Sequence, residues 1–364
     1  MAGDVKQDSL EPRPHPTLAG VVTSCHDEYL SSFRQLRLSG FILERATRKW
    51  SLKRCRLSSC VLEHGVDAAP WAASGATADG VLTFAFPANP DARLSVNGQD
   101  VSQDALCLWP GGARVSIVVR RPADLFVVSA SERALADLAT KTTGLPLLGT
   151  TFTPFRVRPE QLVRVRALAS RVLEAVGNAG SAGLGPETCT SLERALLGGL
   201  LELATGPRSD RSNGTSRIDR RRVLASVEGL LDARPSQPLY IADLCAATGL
   251  PERTLRFILV EQYGTSPIRL LRCRRLCELR RCLQAGGTGS ESLARIASRY
   301  GFRHMGTLAA DYRTLFGVLP SETRRSVGEL LPLPAPPRLV APAREAFGRR
   351  AGAEVAAAAG ASGR

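Results

Sequence analysis

Nineteen arginines and no lysine fall between residues 217 and 328, against ten Asp and Glu, a net of +9 on that stretch. A guanidinium presents five N–H donors in a planar fork that fits a phosphate or the O6/N7 edge of guanine. The 364-residue chain carries +14 in all, with a pI near 10, so a polyanion is the expected partner, either nucleic acid or an anionic membrane surface. Codon bias can also make a chain Arg-rich and Lys-poor. The concentration of charge on one segment is the more telling feature, because phosphate contact needs it there.

The elements that would hold these arginines repeat. Leu244-Cys-Ala-Ala-Thr-Gly249 leads into Leu250-Pro-Glu-Arg-Thr-Leu255 and closes with Gly264-Thr-Ser-Pro267. About fifty residues later Ile296-Ala-Ser-Arg-Tyr-Gly301 leads into Phe302-Arg-His-Met-Gly-Thr-Leu308 and closes with Gly317-Val-Leu-Pro320. Each copy has a small residue (Cys245, Ala297), then a glycine four positions on, then a second amphipathic helix. That spacing predicts a helix-turn-helix, in which the small residue permits a close crossing and the glycine takes the φ > 0 turn. One copy occurs by chance in helical proteins; two copies joined by an Arg-rich helix do so far less readily.

Other chemistry is thin. The four histidines are His15, His26, His64 and His304, with no His-x-His pair, whereas an open iron site wants two His and an acid. Cys273 and Cys277 share a helix face at i, i+4 with Cys282 nearby, but a structural zinc site would lack its fourth ligand. The nine cysteines read as small core residues in a reducing compartment. No metal or other cofactor is expected. The N-terminus has no apolar h-region and no run of about 18 apolar residues occurs, so neither a signal peptide nor a membrane span is expected, and the reading is cytoplasmic.

Residues 1–17 read as a disordered leader. From about 30 to 130 short apolar runs alternate with turn signals: 81–86, 93–96, 106–109, 115–119 and 125–128, with Asn97-Gly98 as a two-residue hairpin turn. A β-sandwich or small barrel follows from that spacing. Two helices then open at Pro159 and Pro186. Leu162, Val165, Leu168, Val172 and Val176 stripe the first, and Cys189, Leu192, Leu196, Leu200 and Leu203 the second, so the hairpin must be covered by the barrel or by a second copy, and self-association into a homodimer is the expectation. Residues 206–216 read as a flexible linker, 217–328 as an α-helical DNA-binding domain and 329–364 as a disordered tail. Trp71, Trp109 and Phe86 are either pocket lining or plain core.

The double motif resembles the AraC/XylS family of bacterial transcription regulators over about residues 220–325. Ile241-Ala-Asp-Leu-Cys-Ala-Ala-Thr-Gly249 stands at that family's first scaffold helix. Leu293-Ala-Arg-Ile-Ala-Ser-Arg-Tyr-Gly-Phe302 matches its Ile-Ala-x-x-x-Gly-Phe signature, and Tyr312-Arg-Thr-Leu-Phe-Gly-Val-Leu-Pro-Ser321 its Phe-Lys-x-x-Phe-Gly-x-x-Pro. Arg275-Leu276 is placed at the opening of the linker helix. The sequence departs at Pro251, where Ser is usual, at Phe257-Ile-Leu259, where Arg-x-Phe is usual, and at Ala310, where Arg is common.

The resemblance implies an α+β chain: an N-terminal β-rich, cupin-like sensor domain with a helical hairpin (18–205) and a C-terminal all-α double helix-turn-helix domain. Carried over position by position, the DNA-reading candidates are Arg253, Thr254 and Arg256 in the first motif and Arg303, His304, Gly306 and Thr307 in the second. Leu255, Phe257, Leu259, Leu308 and Phe316 are expected to pack inside the motifs. Arg269, Arg272, Arg274, Arg280 and Arg281 are read as phosphate or surface contacts. The implied partners are promoter DNA as a double strand, RNA polymerase and an unidentified small-molecule effector, and the implied activity is transcription regulation rather than catalysis, with activation against repression left open. The rival readings are a cupin-type metalloenzyme fused to a DNA-binding domain, and a non-specific architectural DNA-binding protein, for which a sensor-sized N-terminal half has no use.

Overall fold

The computed structural model of the chain describes residues 16–89, 91–143, 154–179, 184–206, 219–234, 237–286 and 291–326. Residues 1–15, nearly all of the expected linker and the expected tail lie outside them.

The N-terminal half is built from β1 (Thr17–Thr23), α1 (His26–Ser32), β2 (Leu36–Ile42), β3 (Trp50–Arg56), β4 (Cys60–Val66), β5 (Trp71–Thr77) and β6 (Val81–Pro87). These are followed by β7 (Arg93–Val96), β8 (Gln99–Val101), β9 (Ala105–Trp109), β10 (Arg114–Arg121), β11 (Asp124–Ser131), α2 (Glu132–Thr143) and β12 (Phe155–Arg156). The hairpin α3 (Pro159–Ala179) and α4 (Pro186–Thr205) completes it. Among the described residues the strands form a seven-stranded sheet, β1-β3-β4-β11-β6-β9-β12, and a five-stranded one, β2-β5-β10-β7-β8. Every pairing is antiparallel. The expected Asn97-Gly98 turn joins β7 to β8 with φ of 49° and 76°, the pair of positive values that a right-twisted hairpin needs.

Side-chain alternation divides the large sheet between two cores. On β11, Leu125 and Val127 enter the core shared with the small sheet, while Phe126, Val128 and Ala130 enter the core under the helical hairpin. β9 does the same, with Cys107 and Trp109 on one side and Leu106 and Leu108 on the other. The period of two makes both faces of one strand apolar, and each face is covered. Trp71, Trp109 and Phe86 are all plain core.

Both helical stripes lie on the large sheet. Leu162, Val165, Val172, Leu196, Leu200 and Leu203 belong to its outer core, with Leu168 and Leu192 half-buried at the margin. The Glu193 carboxylate also accepts the N–H groups of Ser58 (2.7 Å) and Ser59 (2.9 Å), fixing α4 to the β3–β4 turn. The sheet satisfies the apolar demand that would otherwise have called for a second copy.

The C-terminal helices are α5 (Arg220–Ala233), α6 (Ile241–Thr248), α7 (Glu252–Tyr263), α8 (Pro267–Gln284), α9 (Leu293–Arg299), α10 (Met305–Phe316) and α11 (Pro320–Ser326). Of these, α5, α7 and α8 pack on the outer face of the small sheet, and the buried residues of the helices form one continuous apolar cluster with it. That face carries small residues that admit helices closely. Ser74 and Ser116, paired across β5 and β10, donate to Asp232 and Glu228 of α5, each at 2.5 Å. Ser95 accepts from the Gln262 amide of α7 at 2.8 Å. The turn glycine Gly98 lies under Leu224, whose Cδ1 would be 2.9 Å from an added Cβ.

Glu228 sits in this seam, and burial, partly offset by the Ser116 hydrogen bond, pushes its carboxyl up to about 7. Asp232 reinforces that rise and Arg114 opposes it. An unfolded glutamate loses its proton near 4.5. Between these values the folded chain keeps a proton that the unfolded chain has released, so this group's contribution to stability falls as pH rises from about 4.5 to about 7. Glu228→Gln removes that contribution. Thermal melts at pH 5 and pH 7.5 are expected to differ less for the variant than for the native chain, and an unchanged difference would remove Glu228 from the account.

Candidate nucleic-acid interface

Both expected turns form. Gly249 ends α6 with φ 68° and donates its N–H to Cys245 O at 2.8 Å, and Gly301 follows α9 with φ 79°. Gly301 is doubly constrained, since a Cβ there would stand 3.0 Å from both Arg275 Nη1 and Pro238 Cβ. Ala297 is fully buried at the second crossing and Cys245 half-buried at the first. Gly264 and Gly317 close α7 and α10 at φ 68° and 78°. Pro251 occupies the N-cap of α7 at φ −60°, so the departure from Ser leaves the helix intact.

Seven candidate DNA-reading residues lie on the second helices or at their starts. Arg253, Arg256, Arg303, His304, Gly306 and Thr307 are exposed, and Thr254 is half-buried. His304 is the N-cap of α10 but makes no capping bond with its side chain. Arg256 holds Glu252 one turn earlier at 2.5 Å. Leu255, Leu259 and Leu308 are fully buried and Phe316 is half-buried, as expected. Phe257 is not: it is 69% exposed. The opposite face of α7 already buries Leu255, Ile258, Leu259, Gln262 and Tyr263, and at 3.6 residues per turn that rotation sends 257 outward with 253, 256 and 260. The hydrophobic character of Phe suggested the core, and only the helical phase of its neighbours could have corrected it.

The long helix joining the motifs opens at Pro267, with Ser266 capping Arg269 N–H, rather than at Arg275-Leu276, which fall in its middle. Its arginines also depart from expectation. Arg274 is 4% exposed and donates to the last carbonyls of α5, Leu231 O (2.8 Å) and Arg234 O (2.5 Å). Arg281 pairs with Asp27 of α1 (2.6 Å) and Glu278 (2.6 Å) and donates to Gly40 O. Arg272 pairs with Asp311 of α10, and Arg280 lies 4.5 Å from the Phe316 ring centroid. Arg269 stays exposed. Carbonyls, carboxylates and a ring within the molecule have taken four of the five groups that the sequence alone assigns to phosphate or surface contacts. Sequence reasoning also passed over Arg275, which lies between the rings of Tyr240 (5.6 Å) and Phe302 (5.4 Å), one from each motif.

Nearby, α1 and the β2–β3 connection face α8 and the end of α10 across a cleft of about 470 Å³. Arg45, Lys49 and Arg280 line it with Leu315 and Phe316. His26 lines it too: it is buried, its ordinary value is lowered to about 4 by that burial, and its Nε2 has no hydrogen-bond partner among the described residues. His64 stands elsewhere, stacked on Phe126 at 4.7 Å. Among the described residues no group of three or more His, Cys, Asp or Glu could hold a metal ion. Burial pushes the Cys273 thiol up to about 11 and raises that of Cys277 further, so both are inert core thiols.

Comparison with known proteins matches residues 244–326 to a family described as a helix-turn-helix domain. The chain is 37% identical over 97 residues to the probable thc operon regulatory protein of Rhodococcus erythropolis, covering 27% of this chain and 29% of that one. It is 39% identical over 93 residues to XylDLEGF operon transcriptional activator 2 of Pseudomonas putida, covering 26% of this chain and 59% of that one. The chain thus spans less than two thirds of these relatives. Among solved structures, that of the AraC-like transcriptional activator CuxR aligns over 78% of this chain and all of the other, at 14% identity and a TM-score of 0.39.

Arg275 bridges the two motifs through its flat guanidinium, a geometry lysine does not reproduce. Arg275→Ala is expected to cost about 1–2 kcal/mol of stability, read as a lowered melting temperature. Arg275→Lys should recover little of it. Full recovery by lysine would mean that charge, not stacking, is what position 275 supplies.

Proposed function

We propose that the chain is a sequence-specific, effector-controlled regulator that binds promoter DNA, a reading supported by the helix-turn-helix match over residues 244–326 and by the operon regulators it resembles. The observation that carries this is the pair of second helices: each leaves an arginine-bearing face exposed while its leucine-bearing face is buried. In a helix-turn-helix the exposed start of the second helix enters the major groove. Arg253 and Arg256, at i and i+3, are assigned to guanine edges. Thr254, Arg303, His304, Gly306 and Thr307 complete the reading surface, and two rigidly linked motifs suit successive major-groove segments about 34 Å apart. The domain division is taken as 18–205 for a cupin-like sensor and 217–328 for DNA binding, in the cytoplasm, with activation through RNA polymerase by analogy with the relatives named as activators.

The test is binding of the full-length chain to duplexes from its own upstream region. The apparent association constant should fall linearly on a log–log plot as salt rises, with a slope set by the phosphates neutralised. Arg253→Ala or Arg256→Ala should cost about 1–3 kcal/mol on the preferred duplex and little on random DNA. Equal losses on both would reduce these residues to phosphate contacts, and no binding at all would remove the reading.

The cleft between α1, β3, α8 and α10 supports the effector half of the proposal. Arg45, Lys49 and Arg280 set a positive field beside the apolar Leu315 and Phe316, while Arg281 is offset by Asp27. That lining suits a small organic anion, and an occupant there would touch the sensor half and the second motif together. A panel of small organic carboxylates should include members that raise the melting temperature of the full-length chain in proportion to concentration and change its DNA affinity. Lys49→Ala and Arg280→Ala should abolish both effects. Stabilisation without any change in DNA binding would exclude the compound as an effector.

A further inference from the structure

We infer that Phe257 reads sequence directly, by packing its ring on the 5-methyl group of a thymine in the major groove. The inference deepens the DNA-binding reading and rests on it. Phe257 is the most exposed large apolar side chain among the described residues, at 69%. Its place is not incidental. On α7 it follows Arg256 by one residue and Arg253 by four, and Val260, 44% exposed, lies one turn further on. Residues 253, 256, 257 and 260 share one face by helical phase.

That face has no route into the core. Leu255, Ile258, Leu259, Gln262 and Tyr263 bury the opposite side, and the C-terminal end of α7 is pinned to the small sheet. Gln262 donates to Ser95 at 2.8 Å, and Arg120 of β10 donates to Gln262 O at 3.4 Å. Rolling the helix to cover Phe257 would break these contacts and expose buried leucines. The ring therefore stays in water within the isolated chain, and the stabilisation available from its burial is left for a partner.

What that partner presents follows from the neighbours. Two guanidinium groups on the same strip draw a polyanion to this face, so the surface meeting the ring is the one lying between phosphate rails. A phenyl group neither donates nor accepts a hydrogen bond. Among the base edges of the major groove, the thymine methyl is the apolar feature it can cover. The same ring contributes no charge, so its effect should appear in sequence preference and not in the salt dependence of binding.

The experiment uses the full-length protein and duplexes enriched from a random pool by repeated binding to it. Each thymine of the enriched site is replaced in turn by deoxyuridine, which removes the methyl group and nothing else. Affinity is read by fluorescence anisotropy. Loss of one buried methyl predicts about four-fold weaker binding at one thymine position. Phe257→Ala should weaken binding to the thymine duplex by at least that factor and then show no further loss on deoxyuridine at the same position, the coupling expected of two groups in contact. Its melting temperature should stay close to that of the native chain, since the ring is largely in water. Phe257→Leu should retain part of the discrimination. The inference is overturned if no deoxyuridine weakens binding, or if the alanine variant stays as sensitive to deoxyuridine as the native chain. It is also overturned if the variant binds every duplex like the native protein, which would leave the ring to a protein partner. Failure to enrich any sequence would strike the DNA-binding reading itself, and this inference with it.

Discussion

Helix α8 holds three bodies at once, and the rest of the molecule is arranged around its burial. Leu270, Leu271, Leu276, Leu279 and Leu283 are all buried, yet the same eighteen residues include six arginines. A helix so charged can be central only if its cations find partners within the protein, because an unpaired buried charge is costly. Each direction supplies one. Arg274 completes the carbonyl end of α5, Arg275 lies between an aromatic ring of each motif, and Arg281 meets Asp27 of α1.

That arrangement has a mechanical consequence. The two helix-turn-helix motifs share Arg275 and a common apolar core, so neither turns without the other. The core is also continuous with the small β-sheet, where serine hydroxyls rather than large side chains meet α5 and α7. A seam of small polar groups brings helices close while placing carboxylates out of water, which is why Glu228 titrates so far from its ordinary range. The α7 face that carries Arg253, Arg256 and Phe257 is thus presented by a support that reaches into the N-terminal half. A change in how α1 or the β2–β3 connection sits on α8 has a physical path to both motifs.

Local rules reached a good part of this architecture. The glycines at 249 and 301, the prolines opening α3 and α4, the Asn97-Gly98 hairpin and the strands β6, β7, β9, β10 and β11 follow from backbone preferences that act within a few residues, and the sequence displays those directly. The strands before residue 80 and the helix α1 carry weaker punctuation, and the sequence alone does not delimit them individually. Phe257 departs from the sequence expectation for a different reason. Its hydrophobicity argues for the core, and only the burial of Leu255, Ile258 and Leu259 on the other side of the same helix decides against it.

By itself, then, the sequence determined the double helix-turn-helix, the positive charge gathered on it, the turn from β-structure to helices, and the positions that start each second helix. These depend on periodicity, turn chemistry and composition, which are local. Tertiary structure alone decided what the charges are for. Arginine has one chemistry and many partners, and whether it meets phosphate, a helix end, a ring or a carboxylate depends on which elements fold against it. Nor could the pattern of the hairpin α3–α4 say what would cover its stripes, since an apolar stripe specifies only that it be buried, and the sheet it lies on includes strands more than a hundred residues away.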